Sequence, residues 1–274
     1  MPRVRKIYPK DSIVFVTTST KDNLPFIPNI LINAILASII ARAQFLYGQQ
    51  IIGFCFMANH LHMMIKINIP DTASRFIGYI KFESAKAVNQ LLGRESHNVW
   101  CSGFDSPKVV TYDTVIEKLN YIYLNPVKAR LVNSIEEYPG LSSWEAFSQG
   151  QICKEVTWIK VSSITKLRTT KMSIVEQKME LNKLMSCNDK KYNFKISPNA
   201  WLECYPEIKH QKPHNVIKKM INQIKKAEEE YKKDKPKIFG VLRLQTQEIN
   251  AEYKSKNKEE EPHLLALISL SACI

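Results

Sequence analysis

The stretch that decides the fold of this chain is Phe54-Cys-Phe-Met-Ala-Asn-His-Leu-His-Met-Met-Ile-Lys-Ile67. Two runs of β-forming residues, 51–57 and 60–67, flank a break at Ala58-Asn59, a pattern typical of a strand, a tight turn and a second strand. Side chains alternate between faces along a strand, so His60 and His62 point to one face and Leu61 to the other. Two neighbouring imidazoles supply half of a metal site, although a His-x-His pair alone is more often structural.

The charge of the chain predicts a polyanionic partner. Its 274 residues carry a formal net charge of +13, and the pI is near 9.4. Residues 1–150 hold 15 Lys and Arg against 11 Asp and Glu, whereas residues 151–274 hold 24 against 15. Nucleic acid is therefore the first candidate partner, and the second half of the chain is the more basic one.

Cysteine usage and the chain ends predict a soluble cytoplasmic protein. The six cysteines show no Cys-x-x-Cys spacing, which indicates reduced thiols. Met1-Pro-Arg-Val-Arg-Lys6 lacks the apolar core of a secretory signal. The closing apolar run, 264–274, is too short to span a bilayer, which takes about 20 residues. We expect no membrane association, and attachment to the nucleoid when DNA is bound.

The pattern around the hairpin predicts an α+β domain over residues 1–150. A strand is expected at 12–19, a helix from Asn29 to Tyr47 ended by Gly48, and a second helix from Asp71-Thr72 to Leu92. A short strand at 108–112 precedes a helix over 114–125 that Asp113 caps and Pro126 ends. This order is typical of a ferredoxin-like antiparallel sheet with helices on one face and the other face available.

Residues 151–274 predict a basic, α-rich accessory or DNA-binding region. Amphipathic helices are expected at 164–185 and 216–231, and the tail is completed by 234–249 and the charged run 254–261. The Lys-rich faces suit phosphate contacts, or equally a solvated helical cap.

The helix that ends the first domain offers a partner for the histidines. Tyr121 and Asn125 stand four residues apart and thus share one helical face, whereas Tyr123 turns away toward the core. Two imidazoles and one amide oxygen can hold Mg²⁺ or Mn²⁺, and a tyrosine hydroxyl one turn away could attack a metal-bound phosphodiester. Tyr123, Tyr79 and Tyr112 are alternative nucleophiles. The remaining histidines have no partner spacing and are expected at the surface: His97, His210, His214 and His263.

An ordered set of motifs resembles the REP-associated tyrosine transposases, which are bacterial single-tyrosine HUH transposases. The motifs are Met57-Ala-Asn-His-Leu-His62, a basic amphipathic helix, Trp100 followed by Gly103-Phe104, Tyr121-Ile-Tyr-Leu-Asn-Pro-Val-Lys-Ala-Arg-Leu-Val132, and Pro139 followed by Ser142-Ser143. The resemblance covers about residues 1–150, and the Tyr121 motif is its most specific part.

The resemblance implies an HUH endonuclease fold and a metal-dependent enzyme that cuts and rejoins single-stranded DNA at hairpins or palindromes. It implies that His60, His62 and Asn125 bind Mg²⁺ or Mn²⁺ and that Tyr121 forms a 5′-phosphotyrosine link. Single-stranded or hairpin DNA is the expected partner, and the sequence leaves a monomer and a homodimer open. Four basic residues near these elements are candidate phosphate ligands: Lys81, Lys86, Lys128 and Arg130.

Two positions depart from the family pattern. Ala58 stands where proline is usual, and Asp105-Ser-Pro107 replaces an acidic residue followed by histidine. Trp100 and Phe104 are candidates for base stacking or for core packing. The main alternative function is therefore a domesticated or inactive DNA- or RNA-binding regulator on the same fold. A replication initiator or relaxase is a weaker alternative, because those enzymes usually carry partner domains such as a helicase.

Overall fold

The protein has an α+β fold in which one six-stranded sheet lies between two helical layers. It is described here by a computed structural model that covers residues 7–21, 24–150, 152–208, 210–233 and 237–251. The strands are β1 (Ile13–Ser19), β2 (Gln50–Phe56), β3 (His60–Lys66), β4 (Lys108–Val109), β5 (Ile152–Thr157) and β6 (Lys191–Ile196). The helices are α1 (Ile30–Tyr47), α2 (Ala73–Leu92), α3 (Tyr112–Lys128), α4 (Trp144–Gln149), α5 (Ile174–Ser186), α6 (Pro213–Lys233) and α7 (Val241–Gln245).

The sheet has the strand order β4-β1-β3-β2-β6-β5. All neighbours are antiparallel except β2 and β6, which pair in parallel through Ile51 and Ile196. The predicted hairpin is confirmed, since β2 and β3 pair along their length and Met57 N donates to His60 O across the turn. The predicted ferredoxin-like antiparallel core is thereby confirmed, and β5 and β6 enlarge it.

Alternation along the strands divides the core into two parts. On β1, Val14 and Val16 face α1 and α2, whereas Ile13 and Phe15 face α3, α4 and α6. Of the helices predicted within residues 1–150, α1 and α2 lie on one face of the sheet as expected. The other face is not available, because the second face of β1, β2 and β3 is also apolar and α3 covers it.

The first two helices are confirmed at both ends. Asn29 Oδ1 accepts from Ile32 N at 2.8 Å, which caps α1, and Gly48 ends α1 with φ at 65°. Glycine adopts this left-handed conformation without the strain a Cβ would bring. By length and composition alone α1 could cross a membrane, but more than half of it is buried in the core, as in central helices of globular proteins.

Two details of α3 were predicted wrongly. The cap is Thr111, whose hydroxyl accepts from Thr114 N at 3.3 Å, and Asp113 lies in the first turn. Pro126 does not end the helix, which continues to Lys128. Proline in the last turn removes only its own N–H bond, and Ala129 N still donates to Asn125 O at 2.9 Å.

The region after residue 150 is partly helical, as predicted, but two strands were missed. β5 and β6 form a hairpin that extends the main sheet. The helix expected over 164–185 begins only at Ile174, where Ser173 and Glu176 form a capping box. The helix expected over 216–231 is α6, and α7 is the only helix in the described part of 234–249. The charged run 254–261 lies outside the described residues, and the division at residue 150 stays a prediction.

Candidate active site

Strand β3 places the two predicted histidines side by side beneath α3. The ring centres of His60 and His62 lie 4.7 Å apart, and their exposed fractions are 1% and 0%. Leu61 points to the opposite core. Period-two alternation on one strand thus brings both imidazoles to the same face.

Helix α3 brings Tyr121 and Asn125 to these histidines. The Tyr121 ring meets the His62 ring edge to face, with centres 4.9 Å apart. Asn125 Nδ2 donates to His60 Nε2 at 3.1 Å. The structure therefore brings together all four residues that the sequence motifs selected, from elements about 60 positions apart in the chain.

Each imidazole is held through its Nδ1 atom. Asn59 Oδ1 accepts from His60 Nδ1 at 2.7 Å, and Thr17 Oγ1 lies 3.1 Å from His62 Nδ1. Both Nε2 atoms are thereby directed away from these partners. His62 Nε2 is buried and has no hydrogen-bond partner among the described residues. Fixing one ring nitrogen and leaving the other for an ion is the usual arrangement of metal-binding histidines.

Burial keeps both histidines neutral at neutral pH. It lowers the pKa of His60 to about 4. Burial, with the charges of His60 and Lys118, also lowers the pKa of His62 well below its usual value. Only a neutral imidazole has a lone pair for a metal, so both side chains are in the form a metal requires.

Phe15 is a site residue that the sequence analysis missed. Its ring stacks on His62 with centres 5.6 Å apart and meets Tyr121 edge to face at 6.4 Å. Lys118 Nζ lies 5.8 Å from the same ring. Phe15 thus fixes the imidazole plane and the tyrosine ring relative to each other. Only the alternation of β1 would have placed it on the histidine face.

Of the four candidate phosphate ligands, Lys128 is the one that contacts the Tyr121 ring among the described residues. Lys128 Nζ lies 5.5 Å from the Tyr121 ring centre. Lys81 donates to Cys101 O at 3.0 Å and also to Gly103 O, which ties α2 to the following loop. Lys86 lies over the Phe82 ring on α2, beyond the opposite face of the sheet. Arg130 is exposed just after α3, with φ at 54°.

The alternative nucleophiles lie in other surroundings. Tyr123 is buried, its hydroxyl is 3.0 Å from Ser143 Oγ, and burial raises its pKa well above the usual range. Tyr79 lies near Tyr47 and Arg42, and burial followed by the charge of Glu83 raises its pKa to about 12. Tyr112 lies in the first turn of α3, more than two turns before Tyr121. Only Tyr121 has its ring against a histidine of the pair.

The other predictions have mixed outcomes. Trp100 is a core residue, since its Nε1 donates to Ser84 Oγ at 3.0 Å and its ring packs on Phe26. Asp105, at the departure from the family pattern, pairs as an isolated bridge with Thr17. His97, His210 and His214 are exposed as expected, and His263 lies outside the described residues.

The described residues contain no group of three or more His, Cys, Asp and Glu side chains able to hold a metal ion. A site made from His60 and His62 therefore needs an amide or a substrate oxygen to complete it. Asn125 is the side chain that already contacts His60.

Comparison with known proteins finds one matching sequence family. Residues 13–123 match the family model described as "Transposase IS200 like", a stretch that contains His60, His62 and Tyr121. None of the curated proteins compared with the chain matches it.

Two solved structures are similar to parts of the chain. One is titled as a REP-associated tyrosine transposase bound to a REP hairpin; it has 19% identity, a TM-score of 0.47, and coverage of 55% of this chain and 87% of that one. The other, from Deinococcus radiodurans R1, carries a provisional transposase description, with 16% identity, a TM-score of 0.32, and coverage of 44% and 95%. The description of the fold rests on the sheet and helices given above. Residues 13–123 of this chain are thus similar in sequence to the IS200-like transposases.

Proposed function

We propose that this chain is a metal-dependent single-stranded DNA endonuclease and strand transferase of the REP-associated type. The observation that carries the proposal is the Tyr121 ring packed 4.9 Å from His62, whose buried Nε2 has no partner among the described residues. An unpaired buried nitrogen costs about 1–3 kcal/mol in a fold, so its presence beside a partly exposed tyrosine favours a functional site over a structural one.

The residues fit a divalent metal. His60 and His62 would bind it through Nε2, and Asn125 would bind through Oδ1, since its amide can present either oxygen or nitrogen toward His60. Mg²⁺ or Mn²⁺ accepts such a nitrogen and oxygen set. When bound, the ion would supply positive charge to the phosphate that is attacked.

In the proposed reaction the residues of the chain position and exchange groups on one phosphate. The Tyr121 oxygen forms a bond to phosphorus and loses its proton, while the bond from phosphorus to the 3′ oxygen breaks and that oxygen gains a proton. The products are a 5′-phosphotyrosine and a free 3′-hydroxyl, and attack by another 3′-hydroxyl reverses the step. Phe15 holds the tyrosine in place, and the Lys128 ammonium adds positive charge beside it.

The proposed partner is single-stranded or hairpin DNA. The net charge of +13 suits a polyanion, and one similar structure is titled as bound to a REP hairpin. Localisation in the cytoplasm, at the nucleoid when DNA is bound, belongs to the same proposal.

A covalent-adduct assay tests this function. The full chain is incubated with Mn²⁺ or Mg²⁺ and labelled hairpin oligonucleotides from its own locus, then run on a denaturing gel. We expect a protein–DNA band that is lost in Tyr121→Phe and kept in Tyr112→Phe, a matched control on the same helix. Tight DNA binding without any covalent band would contradict the proposal and favour the regulator.

A further inference from the structure

Helix α6 lies outside the stretch that matches the family, yet it packs directly on α3. Its buried stripe joins the core under α3, and it consists of Val216, Ile217, Met220 and Ile224. Glu228 is the last buried residue of α6, and Tyr231 follows it in the last turn of the helix. The last turn of α6 lies beside the C-terminal end of α3, where Lys128 contacts the Tyr231 ring.

Lys128 connects the last turn of α6 to the candidate nucleophile. Its Nζ lies 5.7 Å from the Tyr231 ring centre and 5.5 Å from the Tyr121 ring centre, within the range of cation–π contacts. Among the described residues Lys128 pairs with no carboxylate. One uncompensated ammonium group thus lies against two tyrosine rings.

The Tyr231 side chain is exposed to solvent. Tyr231 is 40% exposed, although Glu228, one turn earlier on α6, is buried. Ion pairs fix the surrounding turns: Glu228, at 1% exposed, pairs with Lys225 at 2.9 Å and with Lys232 at 3.2 Å. Lys225 also reaches Glu136 at 2.5 Å, beyond the end of α3. The exposed ring is therefore held on a rigid element.

We propose that Tyr231 and Lys128 form a nucleotide subsite beside Tyr121, in which the Tyr231 ring stacks a base and Lys128 binds the adjoining phosphate. The inference rests on the proposed function, because it assigns the subsite to the DNA strand that Tyr121 attacks. An exposed aromatic ring next to an unpaired cation is the standard composition of single-strand binding surfaces. In this subsite α6 contributes directly to substrate binding.

The test measures binding of a labelled DNA hairpin with a single-stranded flank by fluorescence anisotropy, in a Tyr121→Phe background that prevents chemistry. Tyr231→Ala should weaken binding about ten-fold, the usual effect of losing one stacked base. Tyr231→Phe should bind like the parent. Tyr231→Leu, which keeps the apolar contact with the helix but not the π face, should be as weak as Ala.

A set of DNAs, each abasic at one flank position, separates stacking from a general loss of structure. The DNA that lacks the stacked base should bind the parent and Tyr231→Ala with equal affinity, because neither complex can form the stacking contact. Lys128→Gln should lower the slope of log affinity against log salt by about one. Phe82→Ala is the matched control, since Phe82 is also an exposed ring beside a lysine, with Lys86 Nζ at 5.1 Å, but lies on α2.

Binding by Tyr231→Ala or Tyr231→Leu within two-fold of the parent would overturn the inference, as would an effect that no abasic position removes. If the chain with Tyr121 intact forms the covalent band while the Tyr231 variants bind normally, only the subsite fails. If that chain neither binds single-stranded DNA nor forms the band, the proposed function fails and the subsite fails with it.

Discussion

The two faces of the central sheet have different chemistry although the same strands build both. The face under α1 and α2 is lined by aliphatic side chains such as Val14, Val16 and Leu61. The face under α3 carries His60 and His62 within a largely apolar layer, and one histidine nitrogen there has no hydrogen-bond partner in the described part of the chain. Neighbouring positions on β3 therefore differ in role: Leu61 stabilises the core, whereas His60 and His62 belong to the candidate active site.

The largest expected effect comes from replacing a histidine on the second face. His62→Leu should reduce covalent-adduct formation at least about 1000-fold, because the metal would lose a ligand and the phosphate its positive charge. The free energy of unfolding of the metal-free protein should change by no more than about 1 kcal/mol, because the unpaired Nε2 is removed while the Thr17 hydroxyl loses its partner at Nδ1. Gel assays and urea unfolding measure the two effects.

Leu61→Ala is the matched control on the neighbouring position of β3. Leu61 is fully buried in the first core, so its truncation should lower the free energy of unfolding by about 2–5 kcal/mol. The adduct should still form at a temperature at which the variant is folded. Added Mn²⁺ should raise the melting temperature of the parent and of Leu61→Ala but not that of His62→Leu. Equal activity losses in the two variants would remove the distinction between the faces.

The first half of the fold was predictable because its signals are local. Runs of β-forming residues identified β1 and the hairpin, while helical spacing with Asn29 and Gly48 identified α1. β6 was missed although its burial alternates perfectly over Lys191–Ile196. β5 gives a weaker signal, because it lies at the sheet edge, where half of its side chains are exposed and none is buried. The rule for Pro126 failed because the packing of α3 on the sheet outweighed a local preference.

The candidate site was predictable only in part. His60, His62, Tyr121 and Asn125 stand in recognisable motifs, and the structure brings them together. Alternation along β1 gives the face of the sheet that Phe15 and Thr17 occupy, but not their contacts with His62, and the contact of Tyr231 with Lys128 likewise joins distant positions of the chain. Identifying those residues needed the register of β1 on β3 and the packing of α6 on α3.

The stability of the metal-free protein should depend on pH through the histidine face. In the unfolded chain His60 takes up a proton near pH 6.5, but in the folded protein its pKa is lowered to about 4. The unfolded state thus binds more protons between these values, so the stabilisation is present above pH 6.5 and is lost as the pH falls toward 4. At pH 5 the loss from His60 is about 2 kcal/mol, and His62 acts in the same direction.

Urea unfolding at pH 7.5 and pH 5 in the presence of a chelator measures this dependence. His60→Gln should flatten it, because the group that titrates is removed. His97→Asn should leave it unchanged, since His97 is exposed. An unchanged slope in His60→Gln would show that the acid sensitivity arises elsewhere in the chain.

The finest comparison uses two adjacent threonines on β1 that face opposite layers. Thr17 pairs with His62 in register and its hydroxyl holds His62 Nδ1, whereas Thr18 pairs with Leu61 and its buried hydroxyl has no partner among the described residues. Thr17→Val should lower metal affinity or adduct formation about 10- to 100-fold, the usual effect of removing the partner of a ligating histidine.

Thr18→Val makes the same chemical change one residue away. It should leave activity intact, and the free energy of unfolding should stay the same or rise slightly. Because both variants remove one hydroxyl from one buried strand, equal losses would mean that Thr17 acts through the fold rather than through His62. Manganese titration with adduct yield, together with urea unfolding, separates the two.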